Sequence, residues 1–349
     1  MHVTLFVPAP FSAVSGGYAY DRRIVSGLRA TGHQVDVVEL AGQHPLADDI
    51  ARDAACTSWD RLADGTRPVI DGLALPAFDG LDDGLAARGT VGVIHHPTAL
   101  ETGFKEAERK WLQGVERRLF RRLSRMIVTS ASTAERLASE FGADPSRISV
   151  VVPGTDDAPR CTGSGSATCE ILTIGTLVPR KGHDVLMRAL ARLFDLNWRL
   201  TIVGSPERDP AYANELHRLA GDLRINQRVR FAGEATDAAL EALWQGADLF
   251  ALATYFEGYG MVIAEALKRG LPVAVTSGGA AAALVTPDAG AVCEPGDHEQ
   301  LSKALRRLVF STTLRKEMAE AAWQVGRALP GWDSQAQEFA HVLQGFRHD

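Results

Sequence analysis

Glu257-Gly258-Tyr259-Gly260-Met261-Val262-Ile263-Ala264-Glu265 sets two carboxylates eight positions apart, the first in a glycine-rich turn, the second inside an apolar run. Read as a helix beginning near Gly260, the run continues through Ala266 and Leu267 and is hydrophobic nearly all round, so it is expected to be buried. A carboxylate there costs on the order of several kcal/mol unless something binds it. Glu265 therefore needs a partner, either a pair of ligand hydroxyls or a core Arg. Glu257 sits just before the helix, where the N–H groups of Gly258 to Met261 have no intrahelical acceptor. A turn of that kind beside a carboxylate suits a polyhydroxylated, phosphate-bearing ligand; the plainer alternative is a helix cap.

Outward from this stretch, strand and helix patterns alternate along the whole chain. Apolar runs rich in Val, Ile and Leu occur at 2–7, 34–40, 68–73, 91–95, 126–129 and 148–152, and again at 171–175, 199–203, 229–232, 249–253, 272–276 and 291–293. They read as parallel strands covered on both faces. Amphipathic stretches at 18–30, 104–125, 184–194 and 211–223 read as helices between them. The fold class is α/β, with two doubly wound Rossmann-like domains. The Gly/Ser/Thr/Pro-rich stretch 153–169 reads as a linker, so the domains are expected at 1–160 and 161–329. Beyond Pro330-Gly331, residues 330–349 form a C-terminal segment with a last helix over 333–346.

Composition excludes several classes. The 349 residues carry a mild net charge of −6, which gives no case for a nucleic-acid partner. The start of the chain reads as a strand rather than a secretory signal, and no run of about 18 apolar residues suggests a membrane span. Cys56, Cys161, Cys169 and Cys293 match no zinc spacing and read as reduced thiols of a cytoplasmic protein. Six of the 37 basic residues are Lys, so an Arg run says less about function than a single Lys does.

Each half has a glycine-containing turn after its first strand. Ser15-Gly16-Gly17 precedes Tyr18; Gly175-Thr176-Leu177-Val178-Pro179-Arg180-Lys181-Gly182 is the sharper signal. Arg180 and Lys181 lie next to a helix N-terminus, which favours an anion, and Lys suits a diphosphate. Ligands of open α/β sheets bind at the C-terminal strand ends, and Gly17, Lys181 and Glu257 all lie at such ends, so the sequence predicts one cleft between the domains.

Lys181 in the loop opening the second domain, followed about eighty residues later by the Glu257–Glu265 stretch, resembles the family 4 retaining glycosyltransferases of GT-B fold. Thr201-Ile202-Val203-Gly204, Val229-Arg230-Phe231-Ala232-Gly233 and Ala247-Asp248-Leu249-Phe250 fit the same resemblance. It implies two domains facing across a cleft, the last helix returning towards the first, and a nucleotide-sugar donor held mainly by the second. Glu265 would hold the ribose hydroxyls and Lys181, with Arg180, the diphosphate. Glu257 with the backbone of Gly258, Tyr259, Gly260 and Met261 would hold the transferred sugar. Backbone near Arg230 and Phe231 would read the base, Gly204 would be a further donor-binding residue, and Gly16 and Gly17 would approach the diphosphate from the opposite domain. A His beside the anomeric carbon is implied at His95 or His96, with His95 preferred. The chain departs from the family at Thr176, where Arg is common, and over Ala280 to Ala283, where an acid is common.

No Asp-x-Asp triplet occurs, so neither metal nor cofactor is expected, and Lys181, Arg180 and helix N-termini take the cation's place. The predicted helix at 104–125 carries Arg109, Lys110, Arg117, Arg118, Arg121, Arg122 and Arg125. A packed helix with a solvated Arg face is preferred there over a contact with an anionic membrane. The expected activity is retaining transfer of a hexose-type sugar from a UDP- or GDP-sugar to a small-molecule, glycan or lipid-linked acceptor, with catalysis resting on His95 or His96, Glu257 and Lys181. The alternatives are a weakly active partner subunit, prompted by Thr176 and Ala283, and a nucleotide-sugar epimerase of the same architecture.

Overall fold

The computed structural model describes residues 1–101 and 103–345. It divides into two compact units: Met1–Gly154 with the segment from Pro330 onward, and Thr155–Leu329. The division falls between Gly154 and Thr155, a few residues before the boundary expected at 160/161.

In the first unit β1 (His2–Pro8), β2 (Gln34–Leu40), β3 (Arg67–Asp71), β4 (Val91–Ile94), β5 (Arg125–Val128) and β6 (Ile148–Val150) form one parallel sheet in the order β2-β1-β3-β4-β5-β6. Alternate residues serve opposite faces. Val3, Leu5 and Val7 pack with α1 (Gly16–Ala30) and α12 (Trp332–Gln344), while Phe6, Ile70 and Ile94 pack under α2 (Asp49–Asp60), α4 (Glu106–Phe120) and α5 (Ala131–Phe141). The short α3 (Asp82–Ala87) completes this unit. α12 lies so close to α1 that a Cβ on Gly27 would fall 2.3 Å from that of Ala336. Phe339, Ala340 and Leu343 thereby close the face that Tyr20, Ile24, Val25 and Leu28 leave apolar. Of the last helix as predicted, Phe346 lies outside the described residues.

In the second unit β7 (Cys169–Ile174), β8 (Trp198–Val203), β9 (Val229–Gly233), β10 (Leu249–Leu252), β11 (Val273–Thr276) and β12 (Gly290–Cys293) form the second parallel sheet, ordered β12-β11-β10-β7-β8-β9. Counted within the unit this is the 3-2-1-4-5-6 order of dinucleotide-binding sheets, with its reversal between β7 and β10. One face is covered by α6 (His183–Ala191), α7 (Pro210–Asp222) and α10 (His298–Phe310), the other by α8 (Asp237–Gln245), α9 (Met261–Lys268) and α11 (Thr312–Ala328).

One expectation is corrected. The helix predicted over 104–125 ends at Phe120, because Leu123 turns into the core, Ser124 N donates to Thr90 O at 2.8 Å and Arg125 enters β5. The stretch read as a linker carries no helix or strand from residue 151 to 168, runs largely exposed or half-buried, and connects the two units, tied to the second at a few points. Lys268 Nζ meets Asp157 Oδ1 at 2.9 Å, Arg160 lies over the Trp323 ring and pairs with Glu320, and Cys161 N donates to Arg269 O.

Candidate functional site

In the second unit the chain leaves the ends of the neighbouring strands β7 and β10 at the point where strand order reverses, the usual place of a ligand in such sheets. The loop after β7 passes through a 3-10 turn at Pro179–Lys181 into Gly182. Gly182 has φ 62°, and a Cβ on it would fall 2.0 Å from Ala253 O, so only glycine lets this loop lie against the end of β10. Arg180 O then accepts from Tyr255 N at 2.8 Å and Thr254 Oγ1 at 3.1 Å.

That docking brings the predicted cations to the predicted carboxylate. Lys181 Nζ donates to Glu257 Oε1 at 2.6 Å, while Arg180 Nη1 lies 3.7 Å from the same oxygen and donates to Phe256 O at 2.6 Å. Glu257 is 8% exposed. Burial pushes its carboxyl up, but Lys181, Arg180 and the donors on Lys181 and Thr254 more than offset this and hold it below the usual carboxylate range. The Glu257 backbone is fixed as well: its N–H donates to Gly278 O at 3.1 Å, and its carbonyl accepts from Ala280 N at 2.8 Å.

Gly260, at φ 96°, opens α9 as expected. Ile263, Ala264, Ala266 and Leu267 are buried, whereas Glu265, expected to be buried, is half-buried, as is Met261. Gly258 is also half-buried, and Tyr259 is buried, its hydroxyl pushed up to about 12. The end of β8 lies close by: a Cβ on Gly204 would meet Gly175 O at 2.0 Å. Arg230 and Phe231 sit farther out, inside β9, two strands from β7. Arg230 is exposed, and the Phe231 ring packs on His217 at 4.0 Å. Ala283, at the departure from the family pattern, is exposed. His183 escaped the sequence reading. It is buried against Gly175 O and Thr176 O, at 3.2 and 3.3 Å, and burial lowers its pKa to about 4, so a neutral ring pins the loop that carries Lys181.

In the first unit the strand order reverses between β1 and β3. Gly16 and Gly17 open α1, with the Ser15 hydroxyl accepting from Tyr18 N. A Cβ on Gly17 would come within 3.1 Å of the His95 ring. His95 Nε2 lies 3.2 Å from Asp21 Oδ1 and 3.4 Å from Asp71 Oδ2. Burial pushes this ring down, but Asp21 and Asp71 outweigh it, and the pKa ends well above the usual imidazole range. His96 faces elsewhere, with Nε2 3.6 Å from Glu101 Oε2. Of the two candidates, His95 is thus the one grouped with Gly17. Neither Asp was singled out from sequence. The available signals were the stripe 21, 24, 25, 28 on α1, where Asp21 replaces an apolar residue, and the position of Asp71 as the last residue of β3. Asp21, Asp71 and His95 are also the one grouping of three His, Cys, Asp or Glu ligand atoms within 4.8 Å among the described residues, and their spacing is that of an ion pair.

Two family models match side by side: "Glycosyl transferases group 1" over residues 162–325 and "Glycosyltransferase Family 4" over 70–158. The chain belongs to the group 1 glycosyltransferases. Among its curated relatives is the D-inositol 3-phosphate glycosyltransferase of Corynebacterium glutamicum, 28% identical over 62% of this chain and 56% of that protein. The chain spans about half the length of the curated relatives it matches. Among solved structures, sucrose-phosphate synthase from Thermosynechococcus elongatus is similar at TM-score 0.84 and 18% identity, over 98% of each chain. Anabaena Alr3699/HepE in complex with UDP-glucose is similar at TM-score 0.80 and 19% identity, over 99% of this chain and 100% of that one. As a group 1 glycosyltransferase fold, the chain has the two Rossmann-like units of the GT-B class that the sequence resemblance implied.

Several cations of α4 and of the turn after it are paired within the unit. Arg118 pairs with Asp79 and Asp82, Arg122 with Asp82 and Asp83, Lys110 with Glu106, and Arg117 donates to Glu140 O. Among the described residues, no helix is long and apolar enough to cross a membrane.

Proposed function

We propose that this protein is a retaining glycosyltransferase that moves a hexose-type sugar from a nucleotide sugar to a hydroxyl acceptor without a metal ion. The observation that carries the reading is the Lys181–Glu257 pair at the β7/β10 reversal, immediately ahead of the helix that bears Glu265. Lys181 and Arg180 are cations suited to a leaving diphosphate, Glu257 accepts from sugar hydroxyls, and Glu265 accepts from the ribose pair. Solved neighbours described as complexes with UDP, or with UDP-glucose, support a UDP-sugar as the first donor to test. In the reaction the anomeric C–O bond to the diphosphate breaks and a C–O bond to the acceptor forms on the same face. The acceptor proton passes to the leaving phosphate oxygen. The four free thiols suit a cytoplasmic setting.

A panel of UDP- and GDP-sugars in a thermal unfolding assay tests the donor. At 100 times its dissociation constant, the cognate compound adds about 2.7 kcal/mol of stability. Proton NMR of the product from an α-linked donor then reads the stereochemistry. A β-linked product overturns retention, and loss of transfer in EDTA that is restored by Mg2+ or Mn2+ overturns metal independence.

A further inference from the structure

We propose that Asp21 and Asp71 are positioning residues that hold His95 as a fixed imidazolium, so that His95 serves transfer as a cation and hydrogen-bond donor and not as a general base. The proposal rests on the glycosyltransferase reading for its kinetics but not for its charge assignment. The geometry is convergent. Asp21 reaches Nε2 from α1, Asp71 reaches it from the end of β3, and both carboxylates are buried, at 2% and 4% exposure. Burial pushes the Asp21 carboxyl up to about 6, which leaves it ionised at neutral pH. With both carboxylates ionised, an unprotonated Nε2 would set three acceptors facing one another in a dry site, which is strongly unfavourable. Nε2 therefore carries a proton whatever the state of Nδ1.

The remaining question is whether Nδ1 is protonated too, and the surroundings decide it. The second oxygen of Asp21 is buried without a hydrogen-bond partner, and Nε2 approaches both carboxylates without hydrogen-bond alignment, so attraction between charges is what offsets the charge of Asp21. The second oxygen of Asp71 accepts from Leu73 N at 2.6 Å, which favours its ionised form. Other groups near the cluster are Tyr20, whose ring meets the imidazole edge-on at 5.3 Å, and His44, which lies within electrostatic reach of Asp71. Thr129 and Thr133 donate to the His95 carbonyl at 3.3 and 3.4 Å and fix the backbone. Two carboxylates against one ring make the cation the stable form, as an opposite charge within about 4–6 Å does generally. Gly17 completes the clamp by letting the first turn of α1 lie on the ring.

The test is ring-nitrogen NMR of the full chain labelled with 15N-histidine, the His95 signals being assigned with His95→Gln. Both ring nitrogens should stay protonated from pH 6 to pH 8.5. In Asp21→Asn and in Asp71→Asn the titration should move down by ~1–3 pH units. A wild-type ring that titrates near its ordinary pH, a ring unmoved in the folded variants, or loss of the Nε2 proton on adding stoichiometric Zn2+ overturns the proposal. With a donor in hand, Asp21→Asn should lower kcat while the donor KM stays within about twofold, and the deficit should deepen as pH rises through the lowered His95 pKa. A deficit that is flat with pH overturns the cationic role. Absence of any transfer in the wild type overturns the proposed function instead, and the NMR result still decides the charge of His95.

Discussion

Lys181 and Glu257 hold each other across the ends of two neighbouring strands, Nζ to Oε1 at 2.6 Å, with both side chains at least 87% buried. The pair is local to one unit and is formed by the docking of the β7 loop on the end of β10. Its charges are satisfied by each other and by Arg180. A ligand that offers an anion to Lys181 and hydroxyls to Glu257 meets a site already assembled.

Removing one member should therefore be felt twice. Lys181→Ala leaves Glu257 with Arg180 as its remaining cation and should cost ~3 kcal/mol of stability, at the lower end for a broken buried pair because Arg180 remains. It should also cost ~2–4 kcal/mol of transition-state stabilisation. Urea unfolding and initial rates measure the two separately. In the double variant Lys181→Ala/Glu257→Gln the stability losses should fall well short of additive; full additivity would mean that the pair is not coupled.

Glu265 lies on the helix that follows, and a ribose contact changes little during reaction. Glu265→Ala should raise the donor KM more than it lowers kcat. Steady-state kinetics showing the loss confined to kcat would remove Glu265 from the ribose.

Gly182 tests the loop rather than the charges. With φ 62° and Ala253 O 2.0 Å from the Cβ position, Gly182→Ala strains the backbone and pushes the β7 loop off β10. A loss of ~2–4 kcal/mol is expected, with transfer activity reduced alongside it. A variant with unchanged melting temperature and unchanged activity would show that the loop docks some other way.

Glu116 gives a pH signature in the first unit. It is buried beneath the turn at Thr98–Leu100 and accepts from Thr98 N, Thr98 Oγ1 and Ala99 N at 2.6, 2.8 and 3.2 Å. Burial raises its pKa from 4.5 to about 7, against those three donors. The native state then binds more protons than the unfolded chain between these values, so this contribution to stability falls as pH rises from about 4.5 through about 7 and is level above. Over that window the fall is ~3 kcal/mol. Urea unfolding at pH 5, 6, 7 and 8 should show it in the wild type and not in Glu116→Gln. Parallel profiles for the two proteins would place the Glu116 pKa at its ordinary value.

Much of the site was legible because its chemistry is carried by short contiguous patterns. Lys181 beside Gly182, and Glu257 followed by a glycine turn and an apolar helix, declare themselves by residue type and local spacing. Arg230 and Phe231 were placed by resemblance, and the structure sets them in the body of β9, away from the strand ends that hold Lys181 and Glu257. Asp21, Asp71 and His183 went unremarked because each is a single polar residue in an ordinary helix or strand-end position. Only packing reveals that each is buried and against what. The Arg-rich helix could be read two ways from sequence; pairing with Asp79, Asp82 and Asp83 was visible only once α3 and α4 were side by side.

The sequence by itself determined the α/β class, the twelve strands, the glycine turns and the two separate stretches that carry Lys181 and Glu257 with Glu265. These rest on hydrophobic periodicity and backbone restrictions, which act over a few residues and are written in order along the chain. Tertiary structure alone decided which strands are neighbours, and so that loops 76 residues apart place Lys181 on Glu257. It alone showed that Asp21, 74 residues away, lies against the ring of His95, the histidine the sequence already preferred to His96. Burial and charge pairing depend on distance in space, and sheet order sets that distance.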